Sequence, residues 1–340
     1  MKHMTTRWFS IVVIATIFGW IFVSSLNKPR ILVLHSQAED SVFTVKAQKG
    51  VEEALSANRR PLYVTHHFMD LDHADSKTQM RTTVASARRA IDKLDPDILI
   101  AFGDQSNELV ASQLDLQTRP AIVYSAILAP EQAYGYSPQT RATGVEENIP
   151  MRTILDLFDA MMPGKPLKIA IIGVQDITDP IELDRYVKAN WTHHSLIGYR
   201  LVSTMEGWKS FVQQDAAHAD ILLVLDARMV QGPSLESLIP EAEVIAWTQE
   251  NSNALPVGLD VSYAVNGGGL TVSPPASAYG KLSMQMALKW LNAGLGSAPP
   301  PSETLSSFNL TVRLSALHKR QITIPRLYLD FAEATGGLYP

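Results

Sequence analysis

The feature that most constrains the fold is an alternation of short apolar runs with longer amphipathic stretches along most of the 340-residue chain. Short, nearly continuous apolar runs are typical of parallel strands that are buried on both faces of a sheet. The runs that we interpret as strands cover residues 30–35, 62–68, 97–102, 121–125, 168–172, 199–203, 221–225 and 244–247.

The stretches between these runs have the apolar spacing of helices. They cover residues 42–58, 78–94, 107–114, 152–161, 180–190, 208–217 and 279–291. Strands that alternate with helices predict βαβ units and a parallel sheet. The pattern restarts after Pro150, so we predict an α/β protein with two doubly wound lobes and a boundary near residues 143–150. A linker at 294–302 precedes two further predicted strands, at 308–314 and 321–324.

The first 25 residues have the composition of a targeting segment. Lys2 and Arg7 precede an apolar run at 8–23, and the small residues Ser24 and Ser25 follow it. These are the three parts of a secretory signal peptide, although the run is also nearly long enough for a retained transmembrane helix. Both alternatives place the remaining chain outside the cytoplasm, either soluble or anchored to the membrane by this segment.

Composition excludes several classes of chemistry and partner. The chain has no cysteine, which rules out disulfides, a thiol nucleophile, a Cys-ligated metal and a lipid on an N-terminal cysteine. The net charge is −5 and no segment has clustered Lys and Arg, so we expect no nucleic-acid partner.

No catalytic or cofactor-binding motif is present in the sequence. We therefore predict a protein that is not an enzyme and that needs no cofactor. Potential metal ligands lie at His66–His67, in the acidic loop that follows, and at His193–His194. Adjacent residues of a strand point to opposite faces, and the other groups fit polar loops, so we predict no metal site.

Polar residues follow many of the predicted strands. In an open parallel sheet, ligands bind beyond the carboxyl ends of the strands. Two such lobes facing each other form a cleft that can close by a hinge. The candidate ligand-binding residues at these positions are Ser36, Gln37, Asp104, Gln105, Ser106, Ser125, Gln175, Asp176, Asp226, Arg228 and Glu250.

Particular roles follow from side-chain chemistry. The planar fork of Arg228 suits a ligand carboxylate. Asp104 or Glu250 could hold an ammonium group. Tyr124 or Tyr263 could stack on an apolar part of the ligand.

Several segments, in order along the chain, resemble one family. They are DPDILIAFGDQSNELV, PAIVYSAILAPEQA, the stretch from TGVEENIP to KIAIIG, ILLVLDARMV, YGKLSMQMALKWLNAG and LTVRLSALHKRQITIPRLYL. They resemble the substrate-binding proteins of ABC transporters, in the type I periplasmic binding protein group related to aromatic-amino-acid binders. This resemblance implies a Venus-flytrap architecture, with residues 28–145 and about 264–298 in the N-terminal lobe. Residues 146–263 and about 303–340 would form the C-terminal lobe.

The resemblance also implies a function. A monomeric periplasmic protein would capture a small polar, amino-acid-like ligand between its lobes and deliver it to an ABC permease and ATPase complex. The alternative is an anchored periplasmic sensor that binds its ligand and signals through a membrane partner protein.

Overall fold

A computed structural model describes residues 28–71, 77–137, 139–175, 179–233, 237–305 and 307–340. The targeting segment predicted at 1–25 and the candidate residue Asp176 lie outside these ranges. Within them, no helix is both long enough and apolar enough to cross a membrane.

The first half of the chain builds one parallel sheet with helices on both faces. Its elements are β1 (Arg30–His35), α1 (Val42–Ser56), β2 (Tyr63–Phe68), α2 (Lys77–Leu94), β3 (Ile98–Phe102), α3 (Asp104–Leu109), β4 (Ala121–Ile127) and β5 (Ala142–Glu147). Strands β1, β3 and β4 are almost wholly buried, as expected for runs that pack against helices on both faces.

The second half builds a second sheet. Its elements are α4 (Met151–Met161), β6 (Lys168–Val174), α5 (Asp179–Lys188), β7 (Ser195–Val202), α6 (Met205–Ser210), β8 (Ile221–Val224), α7 (Glu241–Asn251), β9 (Leu255–Gly258), α8 (Val261–Val265) and β10 (Leu270–Ser273). The remaining elements are α9 (Ala276–Ala293), β11 (Glu303–Leu305), β12 (Asn309–Arg313), α10 (Leu314–Lys319), α11 (Arg326–Ala334) and β13 (Leu338–Tyr339).

The two sheets have the orders β11-β5-β4-β3-β1-β2 and β13-β12-β10-β9-β8-β6-β7. Pairing is parallel throughout except between β10 and β12. Apolar clusters cover both faces of each sheet. The predicted fold class, an α/β protein with two doubly wound lobes, is confirmed.

The positions at which the chain changes lobe differ from the expected boundaries. We expected residues from about 264 onward to join the first lobe, but β10 pairs in the second sheet, and the change comes after Ser273. The late helix α9 then packs on α1 in the first lobe, as expected. We expected residues from 303 onward in the second lobe, but β11 extends the first sheet beside β5. Strand β11 is short, and its sequence has too little hydrophobic pattern to predict which strand it pairs with.

Two predicted strands are wrong. Residues 244–247 belong to helix α7, in which Val244, Ile245 and Thr248 are buried with helical spacing. Residues 321–324 form a loop before α11. The strands that were missed include β5, which carries Thr143 and Gly144, and β9, which contains Pro256 and Gly258. Glycine and proline are depleted in strands, which explains these two omissions.

Candidate functional site

A cavity of about 390 Å³ lies between the lobes, at the carboxyl ends of both sheets. Its volume falls within the range of small-molecule sites. Both lobes contribute apolar walls, including Phe43 and Phe102 from the first lobe and Leu225 and Leu259 from the second. Polar side chains from both lobes complete the lining, so a bound molecule would touch both halves of the protein.

Seven of the predicted ligand-binding residues line this cavity. They are Ser36, Gln37, Asp104, Gln105, Gln175, Asp226 and Arg228. Each follows a strand of the parallel sheets, so the strand-end rule brings residues together that lie far apart in the sequence.

Two predicted serines are instead buried beside the cavity. The hydroxyl of Ser106 donates to the carbonyl of Phe102 at 2.7 Å, and its backbone N–H donates to Ser36 Oγ. Ser106 therefore orients Ser36. Ser125 is fully buried, and its hydroxyl has no hydrogen-bond partner among the described residues.

Three other predicted residues also lie outside the cavity lining. Tyr124 is buried inside the first lobe, where its hydroxyl donates to Glu131. Tyr263 is buried inside the second lobe, where its hydroxyl accepts from Gln249 Nε2 at 3.1 Å. Glu250 is on the exposed face of α7, because the segment before it is a helix and not a strand.

Asp104 serves as an acceptor for the chain that follows β4. It is 3 % exposed and accepts from the backbone N–H groups of Leu128 (3.0 Å) and Ala129 (3.2 Å) and from the Tyr134 hydroxyl. Burial raises the pKa of this carboxyl, and its hydrogen bonds oppose the rise. Asp104 thus fixes the shape of the cavity wall as well as lining it.

Arg228 is held by Asp226 within the same loop. Arg228 Nε donates to both carboxylate oxygens, at 3.0 and 2.9 Å, and Nη2 donates to Oδ2 at 2.6 Å. Asp260 Oδ2 lies 3.9 Å from the same Nη2. The guanidinium fork is therefore engaged by Asp226, and a ligand carboxylate would have to compete with it.

Two cavity residues that the sequence analysis missed are Glu147 and Glu182. Glu147 is the last residue of β5 in the first lobe, and Glu182 is in the first turn of α5 in the second. Burial, with the charges of Asp104 and Asp260, raises the pKa of Glu147 to about 8, while Arg185 opposes the rise. Burial and the charge of Glu147 raise the pKa of Glu182 well above its ordinary value.

His35 is a third cavity residue that was missed, although it ends a predicted strand. Its ring stacks between those of Phe68 and Phe102, and Nε2 lies 3.1 Å from His66 Nδ1. Burial, with a smaller effect from His66, lowers the pKa of His35 to about 3. The ring is therefore neutral at physiological pH and adds an aromatic wall to the cavity.

In the described part of the chain, one group of side chains has potential metal ligands close together. It consists of Asp159, His193 and His194. Asp159 Oδ1 lies 3.0 Å from His193 Nε2 and 3.4 Å from His194 Nε2. However, His194 Nδ1 accepts the backbone N–H of Leu167 at 3.0 Å, so Nε2 carries the proton in the neutral ring. A protonated nitrogen cannot ligate a metal, so the neutral His194 ring in this arrangement does not offer Nε2 as a ligand.

Comparison with known proteins shows which fold the chain has. No family model matches the sequence, and no curated protein matches it. Similar solved structures include an ABC domain in complex with L-Trp from Streptococcus pneumonia, with 16% identity, a TM-score of 0.68 and coverage of 92% of this chain and 100% of that chain.

Two further structures are comparably similar. A conserved domain protein from Vibrio cholerae has 16% identity, a TM-score of 0.66 and coverage of 90% and 99% of the two chains. A ligand-free, open substrate-binding protein with adhesive properties from Clostridium difficile has 15% identity, a TM-score of 0.62 and coverage of 88% and 96%. The chain thus has the type I periplasmic binding protein fold, which confirms the resemblance at the level of the fold.

Proposed function

We propose that this protein is a periplasmic solute-binding protein rather than an enzyme. It captures a small polar, amino-acid-like ligand between its lobes and delivers it to the permease of an ABC importer. One observation carries the proposal: polar and apolar groups from both lobes line a single cavity at the carboxyl ends of both sheets. A cavity of this kind is suited to binding a small molecule by closure of the two lobes over it.

A thermal-shift screen of the full chain with amino acids, amines and sugars tests this proposal. A solute that binds the folded state stabilises it by about 2.7 kcal/mol when present at 100 times its dissociation constant. We expect at least one solute to raise the melting temperature and to lower the radius of gyration in solution scattering. The absence of stabilisation by every solute would contradict a solute-binding role.

The second candidate is an anchored periplasmic sensor that signals through a membrane partner protein. The apolar run at residues 8–23 supports it, because a retained segment would hold the protein at the membrane. Mass spectrometry of the mature chain separates the candidates. A mature N-terminus near Leu26 contradicts the anchored form, whereas an intact N-terminus in the membrane fraction supports it.

A further inference from the structure

The charge distribution in the cavity is strongly one-sided. Six carboxyl groups line it, from both lobes: Asp104, Glu147, Asp179, Glu182, Asp226 and Asp260. Arg228 is the one permanently positive side chain among the lining residues that are described. In the sequence, residues 72–76, 176–178 and 234–236 include no Lys or Arg. A ligand with a net negative charge would therefore meet repulsion in this cavity.

Four of these carboxylates already have partners within the protein. Asp104 accepts backbone N–H groups, and Asp226 holds Arg228. Asp179 accepts the N–H of Val174 at 2.6 Å, and Asp260 accepts that of Ser262 at 2.8 Å. These four side chains therefore already have hydrogen-bond partners within the protein.

Glu147 and Glu182 differ from the other four. Neither side chain accepts a hydrogen bond from any residue that the structure describes, and the two line the same cavity from opposite lobes. Both are half-buried, and the charge of Glu147 raises the pKa of Glu182. Two neighbouring carboxylates that are partly shielded from water and lack partners are costly. A cation between them would remove both costs and join the lobes.

Another group without a partner faces the same cavity. His35 is 1 % exposed, and its Nδ1 has no hydrogen-bond partner among the described residues. Its ring and that of Phe102, stacked 5.2 Å apart, form an aromatic wall. The cavity therefore combines two unpaired acids with an aromatic and aliphatic surface, which suits a positively charged head on an apolar body.

We propose that the solute is an organic cation, an amine or guanidine on an apolar body without a carboxylate, whose positive group binds between Glu147 and Glu182. An amino acid would need a cation for its carboxylate, and the Arg228 fork is engaged by Asp226. This inference rests on the proposed solute-binding function and assigns its ligand to the organic cations instead of the amino acids.

Binding of such a cation should release protons to the buffer. The charged groups acting on the two glutamates are Asp104, Asp226 and Asp260, which oppose ionisation, and Arg185, which favours it. The ring hydroxyls of Tyr186 and Tyr279 lie near enough to be affected by Glu147 and remain neutral, because burial raises their pKa values. A bound cation lowers the pKa values of both glutamates, so affinity should increase with pH up to about pH 8.

Isothermal titration calorimetry of the full chain provides the test, with matched pairs of probes. The amines 2-phenylethylamine, agmatine and putrescine are compared with phenylalanine, arginine and ornithine, and D-ribose and D-galactose serve as neutral solutes. We expect at least one amine to bind about tenfold or more tightly than its parent amino acid. Titrations at pH 7 in phosphate and Tris buffers should show release of protons on binding.

Variants locate the binding group. E182Q and E147Q should each lower the amine affinity about tenfold or more and reduce proton release. D184N, on the exposed face of the same helix as Glu182, should change neither. The inference is overturned if parent amino acids or sugars bind and the amines do not, or if both glutamine variants bind amines like the wild type; the solute-binding function then stands. If no probe binds, both proposals fail.

Discussion

Asp226 and Arg228 form a bidentate ion pair within one loop of the second lobe, with the carboxylate engaging the guanidinium fork at 2.6 to 3.0 Å. The Asp226 side chain is 9 % exposed and that of Arg228 is 24 % exposed, so the pair is partly shielded from water. Because its guanidinium is paired with Asp226, Arg228 stabilises the cavity wall. A ligand carboxylate must therefore compete with Asp226 to bind it.

Replacing Asp226 by asparagine should weaken the hold of this loop on Arg228. We expect D226N to bind phenylalanine, arginine or ornithine more tightly than the wild type, because the Asp226 charge no longer competes with their carboxylates for the guanidinium. The free energy of unfolding should fall by about 1–3 kcal/mol, since a charged hydrogen-bonded partner is lost. Calorimetry and urea denaturation measure the two effects. Unchanged amino-acid affinity would show that Asp226 does not compete with a ligand carboxylate for Arg228.

The stability of the unliganded protein should decrease as the pH rises from 6.5 to 8. Glu147 has a pKa of about 8 in the folded protein and an ordinary value of 4.5, so the folded state binds more protons in this window. Glu241, whose pKa is raised to about 7, acts in the same direction. His35, His66, His67 and His194 have lowered pKa values and act in the opposite direction, but mainly below about pH 7, where the unfolded histidines are protonated. We expect the melting temperature to fall by about 3 °C or more.

The variant E147Q should make that pH dependence shallower, because glutamine does not titrate. The exposed D184N variant is the control and should retain the wild-type slope. A melting temperature that rises between pH 6.5 and 8 in the wild type would contradict the assignment of protonated glutamates to the empty cavity.

Arg185 should favour the closed arrangement of the lobes. From α5 of the second lobe, its guanidinium donates to the carbonyls of Leu128 (3.2 Å) and Glu147 (2.9 Å) in the first. Replacement by glutamine should shift the population toward open forms, raising the radius of gyration and weakening apparent affinity in proportion. K188Q removes a charge from the exposed side of the same helix and is the matched control. Identical scattering curves for R185Q and K188Q would contradict this role.

The contact between α1 and α9 should not tolerate a side chain at Gly280. A Cβ at this position would lie 1.9 Å from the carbonyl oxygen of Ala47, and one at Gly50 would lie 1.9 Å from that of Ser277. We expect G280A to reduce the free energy of unfolding by about 2 kcal/mol or more, although alanine has the higher helix propensity. G296A, with no atom within 4 Å of its Cβ, should be close to wild type in urea denaturation.

Much of the cavity could be predicted from local pattern. The apolar runs of β1, β3 and β8 identify strands buried on both faces, and the residues after them line the cavity. Prediction failed where the pattern was ambiguous. The short apolar run at 244–247 fits a strand or a helix equally well. Its assignment as a strand led to the prediction that Glu250 is a ligand-binding residue, whereas the run belongs to helix α7. Glu147 and Asp260 were missed because the strands before them contain glycine or proline.

The sequence by itself determined the two-lobed α/β fold and the strand ends at which a ligand would bind, because hydrophobic periodicity and strand polarity are local properties of the chain. Only the tertiary structure decided which polar groups meet there and which are already paired. Glu147 and Glu182 line one cavity from two lobes, while Asp226 engages Arg228 within one loop. Burial and proximity set the charge of each group, and neither can be read from residue order.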